Sequence, residues 1–341
     1  MKAIVIPRHG RADVLEVRDV AEPRLEPGHV RIAVRAAGLN FSEVSARQGL
    51  YPDMPRLPAV VGYEVAGTID ALGEGVTGLS VGQHVWAICH FGGHAEVVCT
   101  PAALVRPMPA GLDFVAAAAV PVAYATAMLL THVIGNVRPG DSVLVHMAAG
   151  GVGLASIQLA RLVPDVTLIA TASASKHAFL KAQGVEQSID YRACDFEAEV
   201  RRRTDGRGVG LILDPMGGRH WRKNYRLLAP LGRLILFGFA NATAPGKRNL
   251  VRVLSEMVRA PHWSPMQLMN DNRAVMGLNL GRLMGETDLI RRGLDDVSRL
   301  LGAGQIRPTV DDVFSFGHAA RAHRRIEERR NVGKVVLVPT A

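Results

Sequence analysis

Cysteine is scarce in this chain: Cys89, Cys99 and Cys194 are the only three in 341 residues. An odd, scattered count excludes a disulfide framework and a four-thiolate zinc site within one chain, and it points to a reducing, cytoplasmic setting. Aromatic residues are only 5% of the chain. The arginine clusters, at residues 201–203, 291–292, 324–325 and 329–330, therefore have no stacking ladder of the kind single-stranded nucleic acid requires. They fall on helical spacing beside Glu197, Glu199, Asp295, Glu327 and Glu328, so the net charge of +9 reads as solvated helix faces, and no nucleic-acid partner is expected. No uncharged apolar run reaches the roughly 18 residues of a membrane span. The apolar start at Lys2–Ile6 is too short for a secretory signal and reads as a first strand. Internal repeats and low-complexity tracts are missing too.

The length and a hydrophobic content of 48% suffice for two domains. The first third is rich in β-branched residues, Gly and Pro, with strands expected at 2–6, 30–37, 64–72, 84–87 and 95–100, a β-rich, partly open barrel. Around 113–119 the pattern turns helical and Ala-rich. From Ser142 to about Leu280 strands (142–146, 167–171, 187–190, 210–214, 233–237, 274–278) alternate with helices such as 176–183 and 196–204. This predicts an α/β fold with a doubly wound parallel sheet of Rossmann type. The tail reads as a helix (286–303), a strand (310–314), a helix (317–329) and a strand (334–338). The expected division is residues 1–121, a nucleotide-binding domain at 122–283, and a return to the first domain at 284–341.

The most informative run is Ser142-Val143-Leu144-Val145-His146-Met147-Ala148-Ala149-Gly150-Gly151-Val152-Gly153-Leu154. A buried strand, a Gly-rich turn and a helix starting near Leu154 make a pyrophosphate cradle. Ala149, Gly150, Gly151, Val152 and Gly153 are its expected contacts. Ala148 stands where a Gly-x-Gly-x-x-Gly motif has its first glycine. The next strand ends Thr171-Ala172-Ser173-Ala174-Ser175-Lys176, without the carboxylate that holds the ribose diol of NADH. Hydroxyls and a cation there suit a 2′-phosphate, hence NADPH, and Tyr191 is placed to close over it. Ser173 is also a candidate helix cap and Lys176 a candidate solvated face.

Three further motifs extend the pattern: Pro58 to Gly67, with Gly62-Tyr63-Glu64 at its centre; Gly73-Glu74-Gly75-Val76; and Val81-Gly82-Gln83-His84-Val85. Together with the glycine turn they resemble the medium-chain dehydrogenase/reductase superfamily, whose first domain is GroES-like. Asn40-Phe41-Ser42, residues 47–51, 272–275, 280–286 and 331–335 are similar to its quinone oxidoreductase branch, in particular to the VAT-1 group. In zinc-dependent members the residue at Tyr63 is a His ligand and the one near Asn40 a Cys, so the resemblance implies a zinc-independent enzyme. A rival metal set, Cys89, His90, His94 and Cys99, lacks finger-type spacing.

Asn40, Tyr51 and Tyr63 are the candidate substrate-site residues of a site without zinc; the resemblance further implies cleft positions for Asn40 and Tyr51 and cofactor contacts at Thr126, Phe237, Gly238, Phe239 and Lys334. Each has a plainer reading: Asn40 as the cap of a helix starting at Phe41, Tyr51 as a turn residue, Tyr63 as a core phenol, Lys334 as the start of an edge strand. His132, His146 and His177 read as structural. Without a metal, an already electron-poor acceptor needs only orientation and one or two donors. The expected activity is hydride transfer from NADPH to a quinone or α,β-unsaturated carbonyl compound. The alternatives are a biosynthetic enoyl reductase, with residues 248–269 forming part of the cleft, and a non-catalytic NADPH-binding protein at membrane surfaces. Residues 248–269 read equally as an oligomer contact. A homodimer formed by pairing strand 274–278 is the family's expectation.

Overall fold

The computed structural model describes residues 1–243, 246 and 248–340. They form two units. One comprises Met1–Ala125, Gly246, Arg248 and the chain from Leu280 onward; the other comprises Thr126–Thr243 and Asn249–Asn279.

The second unit is built on six parallel strands in the order Gln187–Ile189, Thr167–Thr171, Ser142–Val145, Val209–Asp214, Leu228–Leu236, Ala274–Gly277. Inner strands such as Val209–Asp214 are apolar on both faces because helices cover both sides of a parallel sheet. Val143, Val145, Leu154, Ile157, Leu211, Leu213 and Ile235 form one core layer. Chain order reverses on either side of Ser142–Val145, so the carboxyl ends of this strand and Val209–Asp214 frame the crevice where such sheets bind ligands.

The first unit holds a seven-stranded sheet. Its path is Val310–Ser315, Lys334–Val338, His29–Leu39, Glu64–Leu72, His84–Ile88 and Val105–Pro107, with Val97–Pro101 also paired to His29–Leu39. A second sheet joins Glu16–Asp19, Lys2–Ile6 and Ala59–Val60. Lys334–Val338 lies between two strands, antiparallel to His29–Leu39 and parallel to Val310–Ser315. The edge-strand reading of Lys334 is thereby corrected.

Local differences have local causes. The cradle helix spans Gly151–Ala160 and starts three residues earlier than expected, because Gly150 serves as its N-cap and glycines occupy its first turn. Residues 248–269 hold two helices, Leu250–Arg259 and Pro265–Asp271. Leu250, Val251, Leu254, Met257 and Val258 of the first are exposed. Its apolar stripe faces away from its own unit.

Candidate functional site

In the nucleotide cradle Met147 adopts φ +50°, a left-handed conformation that costs an unbranched non-glycine residue energy and marks a constrained turn. The chain then enters the helix through Gly150, whose N-cap position carries no side-chain hydrogen bond, so the first helical N–H groups stay open for an anion. A Cβ on Gly153 would lie 2.6 Å from the Ala148 carbonyl oxygen, so only glycine lets helix and turn pack this closely. Ala149 is buried beneath, while Gly150, Gly151 and Val152 are half-buried. Ser173 occupies the N-cap position of the short turn Ala174–Lys176, yet its side chain caps nothing; its Oγ lies 3.4 Å from Ser175 Oγ. Tyr191 follows the neighbouring strand. The turn geometry thus fits a nucleotide pyrophosphate, and the strand end carries hydroxyls where no carboxylate stands.

A buried polar chain runs under this cradle. Asn224 Nδ2 donates to Asp214 Oδ2 at 2.6 Å, so Asn224 Oδ1 faces His146 Nε2 at 2.9 Å and accepts its hydrogen. His146 Nδ1 is then the acceptor for the Thr171 hydroxyl at 2.9 Å. Asp214 Oδ1 receives the backbone N–H groups of Met216 and Gly217. Burial holds His146 below the usual imidazole range, hence neutral. The chain ties the end of Thr167–Thr171 to the turn after Val209–Asp214. Beyond that turn, Phe237 packs on the sheet core, Gly238 approaches Pro215, and Phe239 lies 5.6 Å from the Trp221 ring. Thr126 is buried in the helix Pro121–Met128.

The first unit contains a second polar cluster. Lys334 Nζ donates to Glu64 Oε1 at 2.5 Å, Asn40 Oδ1 at 2.6 Å and Leu39 O at 2.9 Å. Asn40 Nδ2 donates to Glu64 Oε1 at 2.8 Å and Glu43 Oε1 at 3.3 Å. Asn40 N–H completes a capping-box contact with Glu43 Oε2 at the start of helix Phe41–Arg47. Burial raises the Glu43 carboxyl above its usual range. This geometry reassigns Asn40: both amide hydrogens are committed, so none is left for a substrate, and the capping reading describes it. The three Lys334 donors are likewise taken, and a cofactor contact would have to displace one. The cluster's carboxylates went unrecognised in sequence, because nothing in the spacing of residues 40, 43, 64 and 334 brings them together.

Tyr63 is 4% exposed, and its hydroxyl has no partner within hydrogen-bond distance among the described residues, the Tyr51 hydroxyl being the polar group that acts on it. The Tyr51 ring meets it edge-on at 6.1 Å and the Phe91 ring lies 4.9 Å away. Burial, with the neighbouring Tyr51 hydroxyl adding to it, drives the Tyr63 phenol far above its usual range, so it stays protonated and keeps a hydrogen to donate. Burial raises the half-buried Tyr51 as well. Gly62, at φ +109°, makes the turn that aims Tyr63; a Cβ there would sit 2.5 Å from His94 N. Cys89 Sγ bonds Gly62 O and His94 Nε2 faces Gly38 O. No group of three or more His, Cys, Asp or Glu is arranged to hold a metal among the described residues.

Fold and site together define a medium-chain dehydrogenase/reductase: a GroES-like unit with a Rossmann unit inserted in its sequence. Residues 26–110 match the family described as alcohol dehydrogenase GroES-like domain, and residues 183–337 match that described as zinc-binding dehydrogenase. The chain is 41% identical to the synaptic vesicle membrane protein VAT-1 homolog of Rattus norvegicus, over 99% of this chain and 84% of the relative. It is 33% identical to a quinone oxidoreductase of Pseudomonas aeruginosa, over 99% of both. A mycobacterial protein solved in complex with NADPH superposes with a TM-score of 0.86 at 30% identity, covering 99% of this chain and 100% of that one. The chain belongs to the medium-chain dehydrogenase/reductase superfamily, in the branch shared by VAT-1 homologues and quinone oxidoreductases.

Proposed function

We propose that the protein is an NADPH-dependent reductase of quinones or α,β-unsaturated carbonyl compounds. The observation that carries the cofactor choice is the uncapped Ser173 hydroxyl with Lys176 close behind it, where NADH-binding folds place a carboxylate. The open N–H groups at Gly151–Gly153 hold the pyrophosphate with Gly150 beside them, Tyr191 flanks the 2′-phosphate, and Thr126 and residues 237–239 line the rest. Bound NADPH supplies hydride. Tyr63 donates its unpartnered hydrogen to the acceptor's carbonyl oxygen as negative charge grows there, and Tyr51 beside it orients the acceptor. Because Tyr63 is a donor fixed in its protonated form, the acceptors it suits are those already electron-poor.

Three free thiols, one of them exposed, support the reading of a reducing, cytoplasmic setting. No helix among the described residues is long and apolar enough to cross a membrane. The dimer is proposed through strand Ala274–Gly277, which closes one side of its sheet. Purified protein is expected to bind NADPH and oxidise it with an ortho-quinone or an enone. Tight binding without turnover on either acceptor class would instead support a non-catalytic role.

A further inference from the structure

We propose that Arg192 is a specificity-determining residue, pairing with the 2′-phosphate of the bound nucleotide and setting the preference for NADPH over NADH. The inference rests on the NADPH reading above and adds a residue to it.

Strands Thr167–Thr171 and Gln187–Ile189 run parallel with Thr171 opposite Ile189, and Ala172 N–H still bonds Ile189 O at 3.1 Å. Adjacent strands lie about 4.8 Å apart, so Ser173 and Tyr191, each two residues further on, leave the sheet at the same level. Arg192 is the next residue. Its backbone N–H bonds Asp190 Oδ1 at 3.0 Å, which fixes the turn. Its guanidinium carbon stands 5.8 Å from the centre of the Tyr191 ring. The side chain is exposed, and among the described residues no carboxylate forms an ion pair with it. The basic residues of the following helix differ: Arg201, Arg202 and Arg203 each pair with Glu197 or Glu199.

A planar cation on a tyrosine face, without an ion-pair partner among the described residues and on the strand end next to the one that carries Ser173 and Ser175, is suited to a phosphate dianion. It binds in a two-pronged geometry that a lysine cannot reproduce, and stacking limits its freedom beforehand. NADH offers only a ribose hydroxyl at that place.

The test is titration of the wild-type chain, Arg192→Gln and Arg192→Lys with NADPH, NADH, 2′-AMP, 5′-AMP and inorganic phosphate. Wild type should favour NADPH, and 2′-AMP over both 5′-AMP and phosphate. Arg192→Gln should weaken NADPH and 2′-AMP about tenfold, the value of one charge-assisted pair, and leave NADH within twofold; Arg192→Lys should fall between. A wild type that favours NADPH with Arg192→Gln unchanged in its NADPH/NADH ratio overturns the role of Arg192 alone. A wild type without preference overturns the cofactor reading itself.

Discussion

At the scale of single residues, the most consequential group is the Tyr63 hydroxyl. A buried donor without a partner costs about 1–3 kcal/mol, and such a cost persists where function needs it. Tyr63→Phe should therefore raise thermal stability while lowering kcat for quinone reduction about a hundredfold, the size of effect seen when one donor to a developing oxyanion is lost. NADPH affinity should not move. Thermal melts and steady-state kinetics on one preparation check both halves; a variant that is more stable and fully active would make Tyr63 a core residue. Tyr63 was readable in sequence as a residue in a ligand's place. Its lack of a partner was not, since that depends on Tyr51 and Phe91, 12 residues before and 28 after it. Asn40 shows the opposite case: its type and place suggested a substrate donor, and contacts with Glu64 and Glu43 use up its hydrogens.

At the scale of elements, the parallel strands were legible because burial on both faces leaves continuous apolar runs between glycine turns. Thr167–Thr171 and Lys334–Val338 fall on their expected limits. Leu250–Arg259 was not legible, since its apolar residues point outward and their period serves no core of its own unit. That exposed face is joined on the same unit by Met266 and Met269 on the next helix and Met276 on the strand Ala274–Gly277, all exposed, and clustered exposed apolar side chains are the kind of surface that marks an interaction site. An open strand edge beside it is ready for pairing with a second copy. Met276→Lys is expected to convert a dimer into a monomer in sedimentation equilibrium. A monomeric wild type would end the proposal.

At the scale of the whole molecule, each unit holds two neutral histidines shielded from water: His94 and His323, both buried, in the first, and buried His146 with half-buried His220 in the second. Burial brings His94 and His220 down to about 4 and pushes His146 and His323 below their usual range as well. Their folded pKa values lie below the unfolded value near 6.5, so below that pH the unfolded chain binds more protons. Stability is then full above about pH 6.5 and falls as pH drops toward 4, each group contributing up to about 1.4 kcal/mol per pH unit. Melting temperature followed from pH 7.5 to 4.5 should decrease steadily, and His323→Leu, which removes a ring with no hydrogen-bond partner at either nitrogen among the described residues, should lessen the decrease. A flat profile would mean these rings are protonated in the fold.

What the sequence determined by itself was the class of the molecule: glycine turns, apolar strands and missing carboxylates are local, and local chemistry needs no third dimension to be read. Which polar groups are free and which are spent was decided by tertiary structure alone. A hydrogen bond between residues 40 and 334, a chain from Thr171 to Asp214, or a tyrosine hydroxyl walled in by Tyr51 and Phe91 is a property of distance in space, and sequence carries no record of it.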